Sequence, residues 1–409
     1  MLDLTPSARA TELRERLVTF VRDHVLPAEP QVQSELAAEP HAWGGTATVQ
    51  HLKGLARKAG LWNLFRLPHH GREGLTNLEY APLAEVMGWS PHLAPEVFNC
   101  SAPDTGNMEL LDLFGTPDQR TRWLEPLLAG TTRSCFSMTE PDVASSDATN
   151  IRTQILDDGD EWIINGTKWW STAALHPDCS VALVMGVTDP EARPSARQSI
   201  VLVPMDAPGL DIVRSTLVLG FDDQHEGGHG ELTFTDVRVP KTNLLGDRGA
   251  GFAVAQARLG PGRIHHCMRL IGMAERAIAL MVERARDRVA FGAPLIEQGV
   301  VQSWIADARI QVNASRLLVL DAAARMDAEG AKAARHDIAA AKVFVPQAVK
   351  TIVDHAIQVF GAKGLSQDTP LAMLYSQARF LQIADGPDEV HRRSLARAET
   401  RASPLLPPS

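Results

Sequence analysis

Several short segments carry side chains whose types and spacing could do chemistry. His225-Glu226-Gly227-Gly228-His229 spells the pattern of zinc hydrolases, in which two imidazoles on one helix face hold the metal and the glutamate polarises a water. Two glycines lie inside this copy, Gly220 and Gly230 flank it, and each glycine costs a helix interior about 1 kcal/mol relative to alanine. The neighbours read as strands, so we expect a loop that holds no metal. Trp170 and Thr172, two apart on a strand, share a face. Such a pair could flank a flat heteroaromatic ring and donate to its edge; a half-buried strand with core tryptophans accounts for it equally well. The segment Ser137–Asp147 is rich in short polar side chains and turn formers. Arg288 ends a long helical pattern, where a guanidinium either complements the helix C-terminus or reaches a diphosphate. Gln358, Gly361 and Gly364 end another, as a cap or as backbone that a ligand can approach. In Ala384-Asp385-Gly386-Pro387-Asp388-Glu389-Val390-His391-Arg392, Asp388 suits a helix N-cap with His391 at its third position. Asp385 is not needed for that cap, and a carboxylate between two core-type helices is a candidate general base.

The elements that must position these groups fall into three stretches. Leu13, Leu17, Val18, Val21 and Val25 make one helical face that Pro27 should end, and further helical patterns cover 47–60, 76–88 and 107–128, with turns such as Pro68–Gly71 between them. From about residue 135 the pattern alternates or runs β-branched: Glu161–Ile164, Ser180–Val187, Ser199–Pro204, Leu210–Val213 and Glu231–Val239, with Asn165-Gly166 read as a hairpin turn. The helical period returns after residue 250 and continues through 300–326, 336–360, 370–383 and 388–399, with Pro261 and Pro346 near or inside these helices. The expectation is an α+β chain with an N-terminal helical domain (1–134), a middle antiparallel β-domain (135–246) and a C-terminal helical domain (247–409). Neither a doubly wound nucleotide fold nor a solenoid fits this order.

Composition narrows the class. The 409 residues are 44% hydrophobic and 22% charged, which is globular, and the net charge of −9 speaks against a nucleic-acid binder. No apolar run nears the roughly 20 residues that span a bilayer, and the first residues lack the basic and apolar regions of a secretory signal. Cys100, Cys135, Cys179 and Cys267 are far apart and read as buried thiols. A cytoplasmic protein without membrane insertion is the expectation.

Taken together, TEPDVASSD, NGTKWWST, FTDVRVPKTNLLG, RVAFG, QVFGAKG and ADGPDEVHR are similar, in order and spacing, to the marks of the acyl-CoA dehydrogenase family, and the resemblance runs from end to end. It implies that family's fold, with a C-terminal four-helix bundle, and FAD as cofactor. By resemblance, Met138 and Thr139 meet the flavin ring, Trp170 flanks it and the Thr172 hydroxyl lies near N5. Arg288 and Phe291 hold the pyrophosphate and adenine across a subunit interface, and Gln358, Gly361 and Gly364 form the second such segment, with Ala362 in place of a usual glycine. Either Ser145 or Ser146 makes the polar substrate contact after the TEP turn, since this loop is one residue longer than the commoner TEPGAGSD. Arg263 and Gly386 face the substrate. Asp385 stands where most members carry a catalytic glutamate, in a motif that usually reads YEGT. Some members instead carry the base just before the substrate-facing arginine, where this chain has Gly262.

The implied reaction is α,β-dehydrogenation of an acyl-CoA thioester to the trans-2-enoyl-CoA, by α-proton abstraction and β-hydride transfer to flavin N5. The implied partners are an electron-transfer flavoprotein as acceptor and further copies of the chain, in a homodimer or homotetramer. ADGPDEVH and Ser101–Met108 resemble the branch whose larger members fuse this dehydrogenase to an aminoglycoside-phosphotransferase-like kinase domain. A flavin oxidase or monooxygenase on the same fold is the alternative, and Asp385 argues against it.

Overall fold

The computed structural model describes residues 4–39, 43–69 and 73–402. The Pro68–Gly71 turn lies partly outside them. Two compact units are distinguished: one gathers the N-terminal stretch to Val21, Leu67–Ala94 and the chain from Arg263 onward; the other gathers Arg22–Arg66 and Pro95–Gly262. The last boundary along the chain falls inside the helix Gly251–Asp287, one residue after Pro261.

The second unit is built on strands β1 (Arg133–Ser137), β2 (Gln154–Asp158), β3 (Glu161–Thr172), β4 (Cys179–Val187), β5 (Gln198–Pro204), β6 (Leu210–Thr216), β7 (His229–Pro240) and β8 (Leu244–Leu245). The order β6-β7-β3-β2-β4-β5-β8, with β1 beside β4, splits into two antiparallel groups joined by a single bridge between Gln154 and Val187. That bridge and the β1–β4 pairing are parallel, so the sheet is mixed rather than wholly antiparallel. Inward residues of both groups, including Cys135, Ile155, Trp162, Ile164, Val184 and Val201, close one buried core.

The Asn165-Gly166 hairpin is corrected by the structure: both residues lie inside β3, which runs unbroken between β2 and β7. Pairing on both sides outweighs the local turn preference. Asn165 exchanges hydrogen bonds with Asp236, through Nδ2 to Oδ1 at 3.0 Å and from the Asp236 N–H to Oδ1 at 2.8 Å. Gly166 is needed for space, because a Cβ there would stand 2.6 Å from Thr153 Oγ1. The β2–β3 turn lies instead at Gly159, with φ +66°.

A buried ionic network braces the same unit. Glu96 receives Lys53 and Arg133, Arg133 also reaches Asp104, and Asp104 accepts from the Ser134 N–H at 2.7 Å and hydroxyl at 2.6 Å. Its two cations and two anions balance.

Helices make up the first unit: Ala8–Phe20, Asn77–Met87, Gly299–Glu329, Arg335–Phe360, Leu371–Phe380, Asp388–Ala402 and the greater part of Gly251–Asp287. The helix Asn77–Met87 opens on a capping box between Thr76 and Glu79. Asp327 accepts from the N–H groups of Asn77 and Leu78, both at 2.9 Å, and so serves two more of the helix's unpaired donors. Pro27 does not end its helical path: the π-turn Val21–Val25 re-phases the chain, and Pro27 falls in the first turn of Leu26–Ala38, where no donor is needed. The pattern over 107–128 is two segments, broken at Gly115 and restarted by a capping box at Thr116. All four cysteines are free and buried. Among the described residues no helix is long and apolar enough to cross a membrane.

Candidate active site

On the sheet unit, the chemistry-bearing residues gather where β1 and β3 leave regular pairing. After β1 come Met138, Thr139 and Glu140. Lys168 Nζ donates to the Met138 carbonyl at 2.9 Å and to Glu140 Oε1 at 2.8 Å, and Glu140 also accepts from the N–H groups of Arg152 and Thr153 at 2.8 and 2.9 Å. The Thr139 carbonyl accepts from the Trp169 N–H at 3.0 Å. Burial pulls the Lys168 ammonium down to about 8, against the opposing pull of Glu140.

Between the pairs Lys168–Leu232 and Ser171–Gly230, Trp169 and Trp170 of β3 face the single residue Glu231 of β7 as a bulge, and Trp170 takes φ +55°. A bulky residue in the left-handed region is strained. The bulge breaks simple alternation, yet Trp170 and Thr172 still share a neighbour. The Trp170 ring lies 5.5 Å from that of His229, and Thr172 Oγ1 lies 3.0 Å from His229 Nδ1. The indole N–H of Trp169 is buried with no hydrogen-bond partner.

The HEGGH segment is not helical beyond one short turn: Gln224–Glu226 is 3-10, Gly227 and Gly228 have positive φ, and His229 begins β7. Its two histidines therefore sit on different elements. The ring nitrogens of His229 face Thr172 and, at 2.9 Å, Asp223 Oδ2.

In the loop after Pro141, Ser145 closes its own turn, accepting from the Glu140 N–H at 2.9 Å, while Ser146 is exposed.

On the helical unit, Asp385 sits at φ +55° in the turn between the helices Leu371–Phe380 and Asp388–Ala402. Arg263 Nε donates to its carbonyl at 2.8 Å, and His266 Nε2 lies 3.4 Å from Oδ2. Arg269 Nη2 stands 3.1 Å from His266 Nδ1, and a guanidinium can only donate, so Nδ1 accepts and Nε2 carries the proton that points at Asp385. Buried Lys342 donates to the Leu381 carbonyl and pins the start of the turn. Gly386 has φ +99°, and a Cβ there would come within 3.1 Å of His391 Nε2. Burial, with Arg263 and Lys342, pushes the His391 imidazole down to about 4, so it is neutral near pH 7. Asp388 is not the N-cap: it is the first helical residue, and its carboxylate accepts from Gln347 Nε2 at 2.9 Å.

The remaining predicted residues lie at two helix ends. Arg288 is exposed one residue past the helix Gly251–Asp287. Phe291, fully exposed at φ +53°, tips a two-residue hairpin in which Val289-Ala290 pairs with Ala293-Pro294. Gln358 is exposed in the last turn of Arg335–Phe360, and the Arg284 guanidinium lies 5.6 Å from the Phe360 ring, which brings the two ends together. Gly361 is open at φ +63°. Gly364 answers to its own chain instead, since a Cβ there would meet the Ile357 carbonyl at 2.8 Å.

Residues 135–237 match the acyl-CoA dehydrogenase middle domain and residues 249–400 the acyl-CoA dehydrogenase C-terminal domain. The chain belongs to the acyl-CoA dehydrogenase family. It is 55% identical over 399 residues to "Probable acyl-CoA dehydrogenase FadE2" of Mycobacterium tuberculosis, covering 97% of each chain. It is 49% identical to human "Acyl-CoA dehydrogenase family member 11", covering 96% of this chain and 50% of that protein. A solved structure from Mycobacterium abscessus, assigned to the acyl-CoA dehydrogenases, superposes with a TM-score of 0.93 at 50% identity over 97% of this chain and 99% of that one.

FAD is the cofactor of acyl-CoA dehydrogenases, and the donor set here fits it. A flat ring beside Trp170 would find the Thr172 hydroxyl and the Met138–Thr139 backbone near at hand, and the orphaned Trp169 N–H is a buried donor that a polar edge would satisfy. His266, Arg269, Lys342 and Asp223 did not stand out in the sequence, while His229 drew notice only as part of HEGGH and Lys168 only within NGTKWWST. The i, i+3, i+6 spacing of Arg263, His266 and Arg269 on one helix face was the available signal for the first two.

Proposed function

We propose that this acyl-CoA dehydrogenase oxidises an acyl-CoA thioester between its α- and β-carbons, with Asp385 as the general base. The observation that carries the reading is the setting of Asp385: a carboxylate in a left-handed turn, its carbonyl held by Arg263 and its Oδ2 faced by the His266 Nε2–H. The Asp385 carboxylate is assigned to take the α-proton. Negative charge then develops on the thioester oxygen, and the Asp385 backbone N–H is assigned as a donor to it, on the family's pattern. The Arg263 guanidinium adds positive potential at the same turn, which favours an enolate-like transition state. Bound FAD supplies the hydride acceptor. Met138, Thr139, Trp170 and Thr172 are assigned to its ring. Arg288, Phe291, Gln358 and Gly361 are assigned to the pyrophosphate and adenine of a second copy's FAD. Ser146 is preferred to Ser145 for the substrate contact, because the Ser145 hydroxyl already closes its own loop.

An electron-transfer flavoprotein is proposed as acceptor on family membership alone. Self-association is supported by apolar side chains left in solvent on the C-terminal helices: Ile310 and Leu317, seven residues apart on one helix face, are 65% and 60% exposed. The deciding experiment is an acyl-CoA panel under anaerobic conditions, followed by flavin bleaching in wild type and Asp385→Asn. Bleaching by at least one acyl-CoA that is lost in the variant supports the reading; a variant that bleaches at the wild-type rate refutes it.

A further inference from the structure

The second histidine of the HEGGH segment is built into a buried chain that ends on Thr172. Asp223 and His229 are 4% and 1% exposed. Asp223 Oδ2 lies 2.9 Å from His229 Nε2, and His229 Nδ1 lies 3.0 Å from Thr172 Oγ1. The Trp170 ring packs beside the same imidazole. We propose that Asp223 and His229 are positioning residues that fix the hydrogen-bond polarity of the Thr172 hydroxyl. The inference rests on the reading above that Thr172 meets the flavin at N5.

The argument is one of donors and acceptors. A carboxylate can only accept, so Asp223 keeps a proton on His229 Nε2. In that tautomer Nδ1 is a lone pair, and the Thr172 hydroxyl donates its single proton to it. Thr172 then turns oxygen lone pairs, not a proton, toward anything that sits against it. Flavin N5 accepts a hydrogen bond when oxidised and donates one when reduced. A hydroxyl held as an acceptor therefore favours the reduced flavin, and a hydroxyl released from His229 can donate and favours the oxidised one. This is tuning of the cofactor by a hydrogen bond near N5.

Asp223→Asn is the decisive variant, being nearly isosteric. Its amide can donate to Nε2 and drive the proton to Nδ1, as the corresponding exchange does in a Ser-His-Asp triad. His229→Phe keeps a ring beside Trp170 and removes both nitrogens, and Thr172→Val removes the hydroxyl. Ring 15N shifts of His229 in the cofactor-free protein should show the Nε2–H tautomer in wild type and its loss in Asp223→Asn. In the FAD-loaded protein, Asp223→Asn and His229→Phe should both make the flavin midpoint potential more negative. A shift of about tenfold in the two-electron equilibrium corresponds to about 30 mV. Both shifts should vanish in a Thr172→Val background, as a double-mutant cycle requires of groups acting through one hydroxyl.

If Thr172→Val moves the potential but Asp223→Asn and His229→Phe do not, the positioning role is wrong and the flavin reading stands. Bound FAD that is indifferent to Thr172→Val overturns both. An Nδ1–H tautomer in wild type overturns the inference by itself.

Discussion

Three side chains bear most of the chemical argument, and each is set by its neighbours rather than by its own type. Asp385 is the shorter acidic residue, so its reach depends on the left-handed turn that carries it and on Arg263 behind its carbonyl. Asp385→Asn should keep FAD content and lower acyl-CoA-dependent flavin reduction ~10²–10⁴-fold, measured by stopped-flow bleaching. The second is Asp104, which the Ser101–Met108 motif brought to notice. It pairs with buried Arg133 and serves the fold. Removing one partner of a buried ion pair costs about 3–5 kcal/mol, so Asp104→Asn should lower the unfolding free energy by that much, and the denaturant midpoint with it, while Asp385→Asn leaves both nearly unchanged. Equal midpoints for the two variants would remove Asp104 from the ionic core. Glu140 is the third: the carboxylate of the TEP glutamate accepts three hydrogen bonds, from Lys168 and from the N–H groups of Arg152 and Thr153, and so ties its own loop together. Asp385 could be singled out from its motif, because a carboxylate spare to any cap is visible in one dimension. His266, Arg269 and Lys342 could not, because what joins them to Asp385 is the packing of three helices. Asp388 misled for the same reason: cap chemistry is local, and Gln347 lies 41 residues away.

At the level of elements, alternation and period located five of the eight strands and the long C-terminal helices, while β1, β2, β8 and the break at Gly115 went unread. Two of the misreadings share a form, a local preference overruled by pairing or re-phasing. Asn165-Gly166 is a strong turn signal in isolation, yet β2 and β7 hold it extended, and Pro27 would end a helix but for the π-turn before it. Gly166→Ala tests the first point. With φ +150° at this position and Thr153 2.6 Å from the new methyl, the exchange should cost ~1–3 kcal/mol in urea denaturation. A neutral result would mean that Thr153 does not press on this position. The hairpin at Val289–Pro294 is legible only as RVAFG in the sequence, while its geometry puts two positive φ values under Phe291 and Gly292. Arg288→Ala should weaken FAD retention about 10- to 100-fold through loss of a charge-assisted contact, measured by fluorescence of flavin released on dialysis. Retention equal to wild type would take Arg288 out of the cofactor contacts.

Across the whole molecule, buried neutral histidines set the response to acid. Burial pushes His176 and His265 down to about 3 and His391 to about 4, each also disfavoured as a cation by nearby positive charge. Their pKa is lowered on folding, so the unfolded chain binds more protons once the pH falls below the ordinary histidine value of about 6.5. Stability from these groups is complete above that value and is lost as the pH falls toward 4–3. By pH 5 each costs about 2 kcal/mol. Thermal unfolding should therefore fall to lower temperature between pH 6 and 5; a Tm unchanged over that interval would contradict the burial of these rings. Assembly is the other property of the whole. A dimer or tetramer by light scattering is expected, and a monomer that keeps its FAD would refute the interface. The hairpin that lifts Phe291 wholly into solvent then bears on how rates are measured. Where one copy's tip helps to close another copy's flavin pocket, occupancy obeys mass action. Specific activity should rise with enzyme concentration, the yellow colour should drain from a dilute stock, and added FAD should restore both only as the subunits find each other again.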